Sequence, residues 1–157
     1  MRVIVFSDSH GHLANAIRSL KEAGPLDLII HAGDFYRDAR RLAAETNIPV
    51  KAVMGNCDIH DEGPLELVLE LAGHRILLVH GHAHTSKHRF DKLASRASEL
   101  GADAVVFGHS HIAGFNTEDG VLLFNPGSIA RPRDHERPSY GILEIDEEGI
   151  MPAIYRI

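Results

Sequence analysis

The sequence predicts an α/β fold in which two sheets pack face to face with helices outside. Three observations carry this. The first third of the chain alternates short apolar runs with amphipathic ones, the middle and end switch to hairpin-forming patterns, and metal-capable side chains collect where the apolar runs stop.

RVIVF (2–6) is apolar and β-branched on both faces, as a doubly covered strand requires. Residues from about 13 to 23 carry Leu13, Ala16, Ile17 and Leu20 at helical spacing, and Gly24-Pro25 ends that helix. LDLIIH (26–31) is a second strand, about 37–46 a second helix, and PVKAVM (49–54) a third strand. This βαβαβ rhythm calls for parallel pairing. LELVLEL (65–71) alternates and reads as a half-exposed strand, turned through Ala72-Gly73-His74 into its hairpin partner RILLVH (75–80). A helix over about 87–100 is capped by Gly101. ADAVVF (102–107), a short strand near 112–117, and VLLFN (121–125) follow. SYGILEID (139–146) and IMPAIYRI (150–157) then pair across a Glu-Glu-Gly turn. With no linker, repeat or low-complexity tract in between, the 157 residues are expected to form one domain.

Composition excludes several classes. Cys57 is the single cysteine, so the chain can form no internal disulfide, as expected of a protein in the reducing cytoplasm. The apolar start over 3–7 is too short for a signal-peptide core, and no later run would span a membrane. The formal net charge of −6 argues against nucleic acid as a stable partner and against an anionic membrane surface. It leaves room for a small anionic substrate, because bound metal reverses a local field. The sequence sets no oligomeric state, and a homodimer stays open.

The unusual count is twelve histidines, and their positions matter more than their number. After 2–6 comes SDSH, with Asp8 and His10. After 26–31 comes AGD, with Asp34. After 49–54 comes GNCD, with Asn56 and Asp58. His80 opens HGH, and GHSH supplies His109 and His111. In open α/β sheets ligands bind beyond the carboxyl ends of the strands. In extended backbone residues two apart project to one side, so Asp8 and His10, like His109 and His111, are expected to face one centre as pairs. Gly33, Gly55, Gly81 and Gly108 beside them permit sharp departures from the strands. Carboxylate, imidazole and one amide oxygen suit Mn, Fe, Ni or Zn rather than a thiolate zinc site or an all-oxygen calcium or magnesium site. Asp8, His10, Asp34, Asn56, His80, His109 and His111 are too many for one ion and suit two with open positions. Asp34 is the candidate bridge.

The ordered set D-x-H, G-D, G-N-x-D, H-G-H and G-H-x-H resembles the calcineurin-like metallophosphoesterase superfamily. The short chain and NPGS (125–128) are similar to its small bacterial and archaeal phosphodiesterase branch. The resemblance covers essentially the whole chain. It implies a four-layer αββα sandwich of two mixed β-sheets flanked by helices, in agreement with the segments above. It also implies one ion held by Asp8, His10, Asp34 and His111 and another by Asp34, Asn56, His80 and His109, commonly Mn or Ni. The implied activity is hydrolysis of a small phosphodiester by a hydroxide activated between the two ions. Two ions bring four positive charges, and Asp8, Asp34 and hydroxide remove three. The remaining charge matches a monoanionic diester better than a dianionic monoester.

Much of that superfamily has G-N-H-[DE], whose histidine is taken as proton donor. Cys57 stands in that slot here, as it often does in the small branch. The thiol is a weak donor or, by expectation, buried and inert. His82 is the spare imidazole offered as donor, and Asp58 is expected to orient a neighbour by hydrogen bonding. His31 is expected to support the site or fill the core. His12, His84, Arg131 and Arg133 are loop residues that reach either solvent or substrate. His60, His74, His88 and His135 read as surface residues, and Lys87, Arg89, Lys92 and Arg96 as a solvated helix face. Two other functions remain open. One is a non-catalytic scaffold like the retromer subunit of this fold, which departs at the GD and GN positions retained here as Asp34 and Asn56. The other is a phosphomonoesterase on the same site.

Overall fold

Strand β1 (Arg2–Phe6) shows how the layers arise. Its side chains alternate between two cores. Val3 and Val5 point into an inter-sheet core with Leu28, Ile30, Ile76, Leu78, Val106, Phe124 and Leu143. Ile4 and Phe6 point the other way, among Ala16, Ile29, Leu42 and Ile142. Both faces are covered, so the strand has no polar phase.

The computed structural model describes residues 1–84 and 88–157, with the backbone alone for His84. Helix α1 (Ala14–Glu22), β2 (Leu28–His31), α2 (Tyr36–Glu45) and β3 (Val50–Ala52) follow β1, and the three strands run parallel. β4 (Glu66–Leu71) and β5 (His74–Val79) form an antiparallel hairpin. Its two-residue turn holds Ala72 and Gly73 both at positive φ, as the tightest hairpins require. After a 3₁₀ turn at His82–His84 come α3 (Arg89–Leu100), β6 (Ala104–Val106), β7 (Gly114–Glu118), β8 (Val121–Asn125), β9 (Ser139–Asp146) and β10 (Gly149–Arg156). The sheets have the orders β10-β9-β1-β2-β3 and β4-β5-β6-β8-β7. Each has a parallel centre (β1, β2 and β3; β5, β6 and β8) with antiparallel strands outside it. Helices α1 and α2 pack on the first sheet, and α3 packs on the second through Leu93 and Ala97 against Leu77, Val79 and Leu123. This is the four-layer arrangement the sequence predicts. Lys87, the expected start of the third helix, lies outside the described residues.

The departures are systematic. The strand expected over 26–31 begins only at Leu28, those expected over 49–54 and 102–107 are trimmed at both ends, and the one expected over 75–80 stops one residue early. After β3 the Met54 N–H donates to Pro64 and the Gly55 N–H to the Asp58 carboxylate, so the chain leaves the ladder. The strand expected near 112–117 is displaced to Gly114–Glu118 because His111 is held elsewhere, its ring bonded to the Arg131 carbonyl. His74, expected on the surface, instead ties the two sheets together. Its Nε2 donates to the Asp146 carbonyl at 2.9 Å and its Nδ1 lies 3.6 Å from Asp103.

Phe124 is fully buried between the sheets, while Ile59 is 81% exposed. Phe124→Ala is therefore expected to cost about 3–5 kcal/mol and Ile59→Ala about 0.5 kcal/mol or less, as read from urea midpoints at unchanged slope.

Candidate metal centre

The parallel centres of both sheets end at one seam. Asp8, His10, Asp34 and Asn56 reach it from the first sheet, and His80, His109 and His111 from the second. The backbone there is not extended. Asp8, His10, Asp34, His109 and His111 have φ of 54°, 47°, 55°, 66° and 59°. This corrects the expectation that pleating aligns each pair. The chain curls instead, and left-handed backbone at both ends of D-S-H and H-S-H turns the two outer side chains inward. The middle serine is turned aside, Ser9 to His31 and Asp38, and Ser110 to Asn125. A left-handed non-glycine residue costs roughly 1–2 kcal/mol, so these turns must be held from outside.

They are. The Asp8 N–H donates to the Gly33 carbonyl, the His109 N–H to Asp8 Oδ2, and the Arg133 N–H to the His111 carbonyl. Ser128 Oγ donates to the Asp8 carbonyl at 2.8 Å. Asn125 Nδ2 donates to the Gly108 carbonyl and Ser110 Oγ, both at 3.0 Å. NPGS thus brackets both turns that carry the candidate ligands. Ser7 Oγ adds a 2.6 Å bond to Asp8 Oδ2. Gly33, at φ 94°, has no room for a Cβ, which would lie 2.6 Å from His80 Nδ1. At Gly108 a Cβ would run into Ser7 Oγ.

Asp8, His10, Asp34 and His111 each offer a ligand atom, all within 4.8 Å of one another. His111 Nε2 lies 3.2 Å from Asp8 Oδ1 and 3.3 Å from His10 Nε2. Beside them His80 Nε2 lies 3.3 Å from Asp34 Oδ1 and 3.2 Å from Asn56 Oδ1, with the His109 ring 5.2 Å away. Asp34 divides between the groups: Oδ1 faces His80, while Oδ2 lies 3.8 Å from His10.

The protons decide what fits. His80 Nδ1 donates to the Ala32 carbonyl at 2.7 Å and His111 Nδ1 to the Arg131 carbonyl at 2.6 Å. In each neutral ring Nε2 is then a lone pair aimed at carboxylate or amide oxygens. Asp8 Oδ1 is buried and, among the described residues, accepts no hydrogen bond. Lone pairs converging on lone pairs call for cations, and backbone carbonyls that fix the tautomer are a common support of imidazole ligands. The donor set fits divalent metal.

Burial opposes ionisation of Asp8, but His111, His80 and Ser7 outweigh it and hold the carboxyl below its ordinary value. Burial also lowers His10 and, with His80, His109. Against its burial, His111 is raised by the Asp8 carboxylate beside it.

Other expectations resolve individually. Asp58 accepts the Tyr36 and Gly55 N–H groups at 2.7 Å each, which ties the Asn56 loop to α2. Cys57 is exposed rather than buried, because its N–H is drawn to Asp34 Oδ1 and the loop turns its side chain outward. Partial burial and the Asp34 carboxylate push its thiol up to about 11. The His82 ring centre lies 5.5 Å from that of His80 and 6.3 Å from that of His109. His12, His60, His88, His135, Arg131 and Arg133 are exposed, and the His84 side chain lies outside the described residues. His31 is fully buried, and burial lowers its pKa. Sequence reasoning passed over Ser7, Asp38, Asn125 and Ser128 as individual supports. NPGS carried a signal for two of them, and nothing marked the others.

His10, His31 and His109 have folded pKa values below the ordinary 6.5, and His111 lies above it. A lowered histidine stays neutral in the fold while the unfolded chain takes up its proton, so stability falls as pH drops through 6.5. His111 has the opposite sign. With three against one, and Asp8 adding a loss at lower pH, the melting temperature of metal-free protein should fall between neutral pH and about pH 5. A flat or rising calorimetric profile would contradict these assignments.

A model of the calcineurin-like phosphoesterase superfamily domain matches residues 1–148. The probable metallophosphoesterase YsnB of Bacillus subtilis (strain 168) is 40% identical over 157 residues, covering 99% of this chain and 90% of YsnB. Phosphodiesterase YfcE of Escherichia coli (strain K12) is 28% identical over 171 residues, covering 93% and 89%. A predicted phosphoesterase from Streptococcus pneumoniae TIGR4 has a solved structure that superposes with a TM-score of 0.83 at 31% identity, covering 99% and 88%. Vps29 of Chaetomium thermophilum shares the fold, with a TM-score of 0.78 at 20% identity over 100% and 95%.

Proposed function

The chain belongs to the calcineurin-like phosphoesterase superfamily, and from that premise we propose that it is a metal-dependent phosphodiesterase. The observation that carries the proposal is the divided carboxylate of Asp34, with one oxygen toward His10 and the other toward His80. It supports two ions, one on Asp8, His10, Asp34 and His111 and the other on Asp34, Asn56, His80 and His109. When bound, two divalent ions (Mn first, with Ni, Fe or Zn as alternatives) supply Lewis acidity toward phosphoryl oxygens and lower the pKa of water. The family match over 1–148 supports treating all 157 residues as one catalytic domain.

The chain's own residues do the rest. Asp8 and Asp34 are the only carboxylates in the proposed ligand set, so the centre keeps a positive charge suited to a monoanionic diester. Ala32 and Arg131 hold the tautomers of His80 and His111 with their carbonyls, which keeps both Nε2 atoms free of protons. Asp58 and the NPGS bracket fix the loops, so that little reorganisation accompanies reaction. His82, half-buried beside His80 and His109, is the proposed donor of a proton to the leaving oxygen. The name of YfcE supports the choice of a diester. We also propose the cytoplasm as the compartment. Among the described residues no helix is long and apolar enough to cross a membrane.

Metal-stripped protein is expected to hydrolyse bis-p-nitrophenyl phosphate only when Mn²⁺ is restored, with Asp34→Asn reduced to background. Inactivity with Mn²⁺, Ni²⁺, Fe²⁺ and Zn²⁺ alike, despite confirmed binding, would instead favour a non-catalytic scaffold. His82→Ala should slow diesters with alkyl leaving groups by about 10²-fold or more, while p-nitrophenolate, which needs no proton, changes far less. Equal slowing of both would remove His82 from the donor role.

A further inference from the structure

Beneath the D-S-H turn lies a buried polar chain that the proposed reaction does not use. Ser9, His31 and Asp38 are all at most 1% exposed. Asp38 stands in the first turn of α2, on a different element from either end of the turn it meets. Its Oδ2 accepts Ser9 O–H at 2.7 Å and Gly11 N–H at 2.8 Å. These two donors flank His10, and Asp8 precedes Ser9. The single hydroxyl proton of Ser9 goes to Asp38. The Asp34 carbonyl, at 3.5 Å, is too distant to compete. Ser9 Oγ must then accept from His31 Nε2, 3.0 Å away, which places that ring's proton on Nε2 and leaves Nδ1 bare. His31 Nδ1 is indeed buried without a hydrogen-bond partner.

We propose that Asp38, through Ser9 and His31, is a positioning residue for the metal-ligand turn 8–11. One carboxylate gathers the two donors on either side of His10 and so holds Asp8, His10 and Gly11 in their left-handed conformations, at φ 54°, 47° and 82°. The chain His31 → Ser9 → Asp38 has one direction only, because a carboxylate accepts and cannot donate. Replacing Asp38 by leucine, close to it in shape, removes the acceptor altogether. Ser9 O–H then turns to His31 Nε2, the ring proton moves to Nδ1, and the Gly11 N–H loses its partner. An amide would not do this, because it can present its own carbonyl oxygen to both donors. The inference rests on the reading of Asp8 and His10 as metal ligands.

The test has two arms. Nitrogen-15 NMR of the metal-free protein reports the His31 tautomer, expected as Nε2–H in the wild type and Nδ1–H in Asp38→Leu. A proton on Nδ1 in the wild type overturns the proposal. Calorimetric titration with Mn²⁺ at neutral pH reports affinity, expected to fall about tenfold in Asp38→Leu and in Ser9→Ala. Leu42→Ala, which removes a fully buried apolar side chain from the same helix and none of these hydrogen bonds, should lower the melting temperature and leave affinity within about twofold. Unchanged affinity in either of the first two variants overturns the proposal, as does an equal loss in Leu42→Ala. If Asp38→Leu does not fold, Ser9→Ala decides. A wild type that binds no Mn²⁺ removes the metal centre itself and the positioning role with it, whatever tautomer is seen.

Discussion

Two buried carboxylates face three imidazoles across the seam between the sheets, and the rest of the molecule is arranged around that fact. Asp8 and Asp34 are nearly inaccessible, and His80 and His111 point their Nε2 atoms at them. Buried charge is tolerated only when it is compensated. Here the Ser7 hydroxyl and the N–H groups of Cys57 and His109 compensate part of it, and the imidazole lone pairs turned toward the carboxylates suit cations for the remainder. The short strands, the tight glycines and the bracket over 125–128 all keep these groups in register.

The turns carrying the ligands are locally unfavourable, and the surrounding structure over-determines them. Each D-S-H or H-S-H turn is pinned through its middle serine by a residue from a distant segment, Asp38 for one and Asn125 for the other. Ser128 and Asp8 then clamp the two turns to each other through the Asp8 carbonyl and the His109 N–H. Strain of this kind persists where geometry matters more than local comfort.

Much of the architecture was legible in the sequence, because doubly buried strands such as 2–6 and 75–79 have no polar phase and hairpins announce themselves by alternation. The candidate ligands were visible for a related reason: a lone aspartate or histidine stands out at the end of an apolar run. The conformation was not. Positive φ at aspartate and histidine leaves no compositional mark, unlike glycine, so extended pairs were the natural expectation. Asp38 was hidden for another reason. In YRDARRLAAE it reads as one more charge on a solvated helix face, yet it points inward. Cys57 misled in the opposite sense, since a lone cysteine suggests burial while its loop carries it outward.

The division of labour between the sheets has a mechanical consequence. All the carboxylates of the centre hang from one sheet, and His80, His109 and His111 hang from the other. The core between them, with Phe124, Leu78 and Val5 at its heart, is therefore the spacer that sets the gap across which both groups of proposed ligands meet. Metal centres tolerate misplacement of only about 0.5 Å. A cavity or an overpacked side chain far from any ligand would slide one sheet on the other and detune both groups in the same stroke. The hydrophobic interior works as an alignment jig, and its evolution is constrained by the chemistry at its rim as well as by stability.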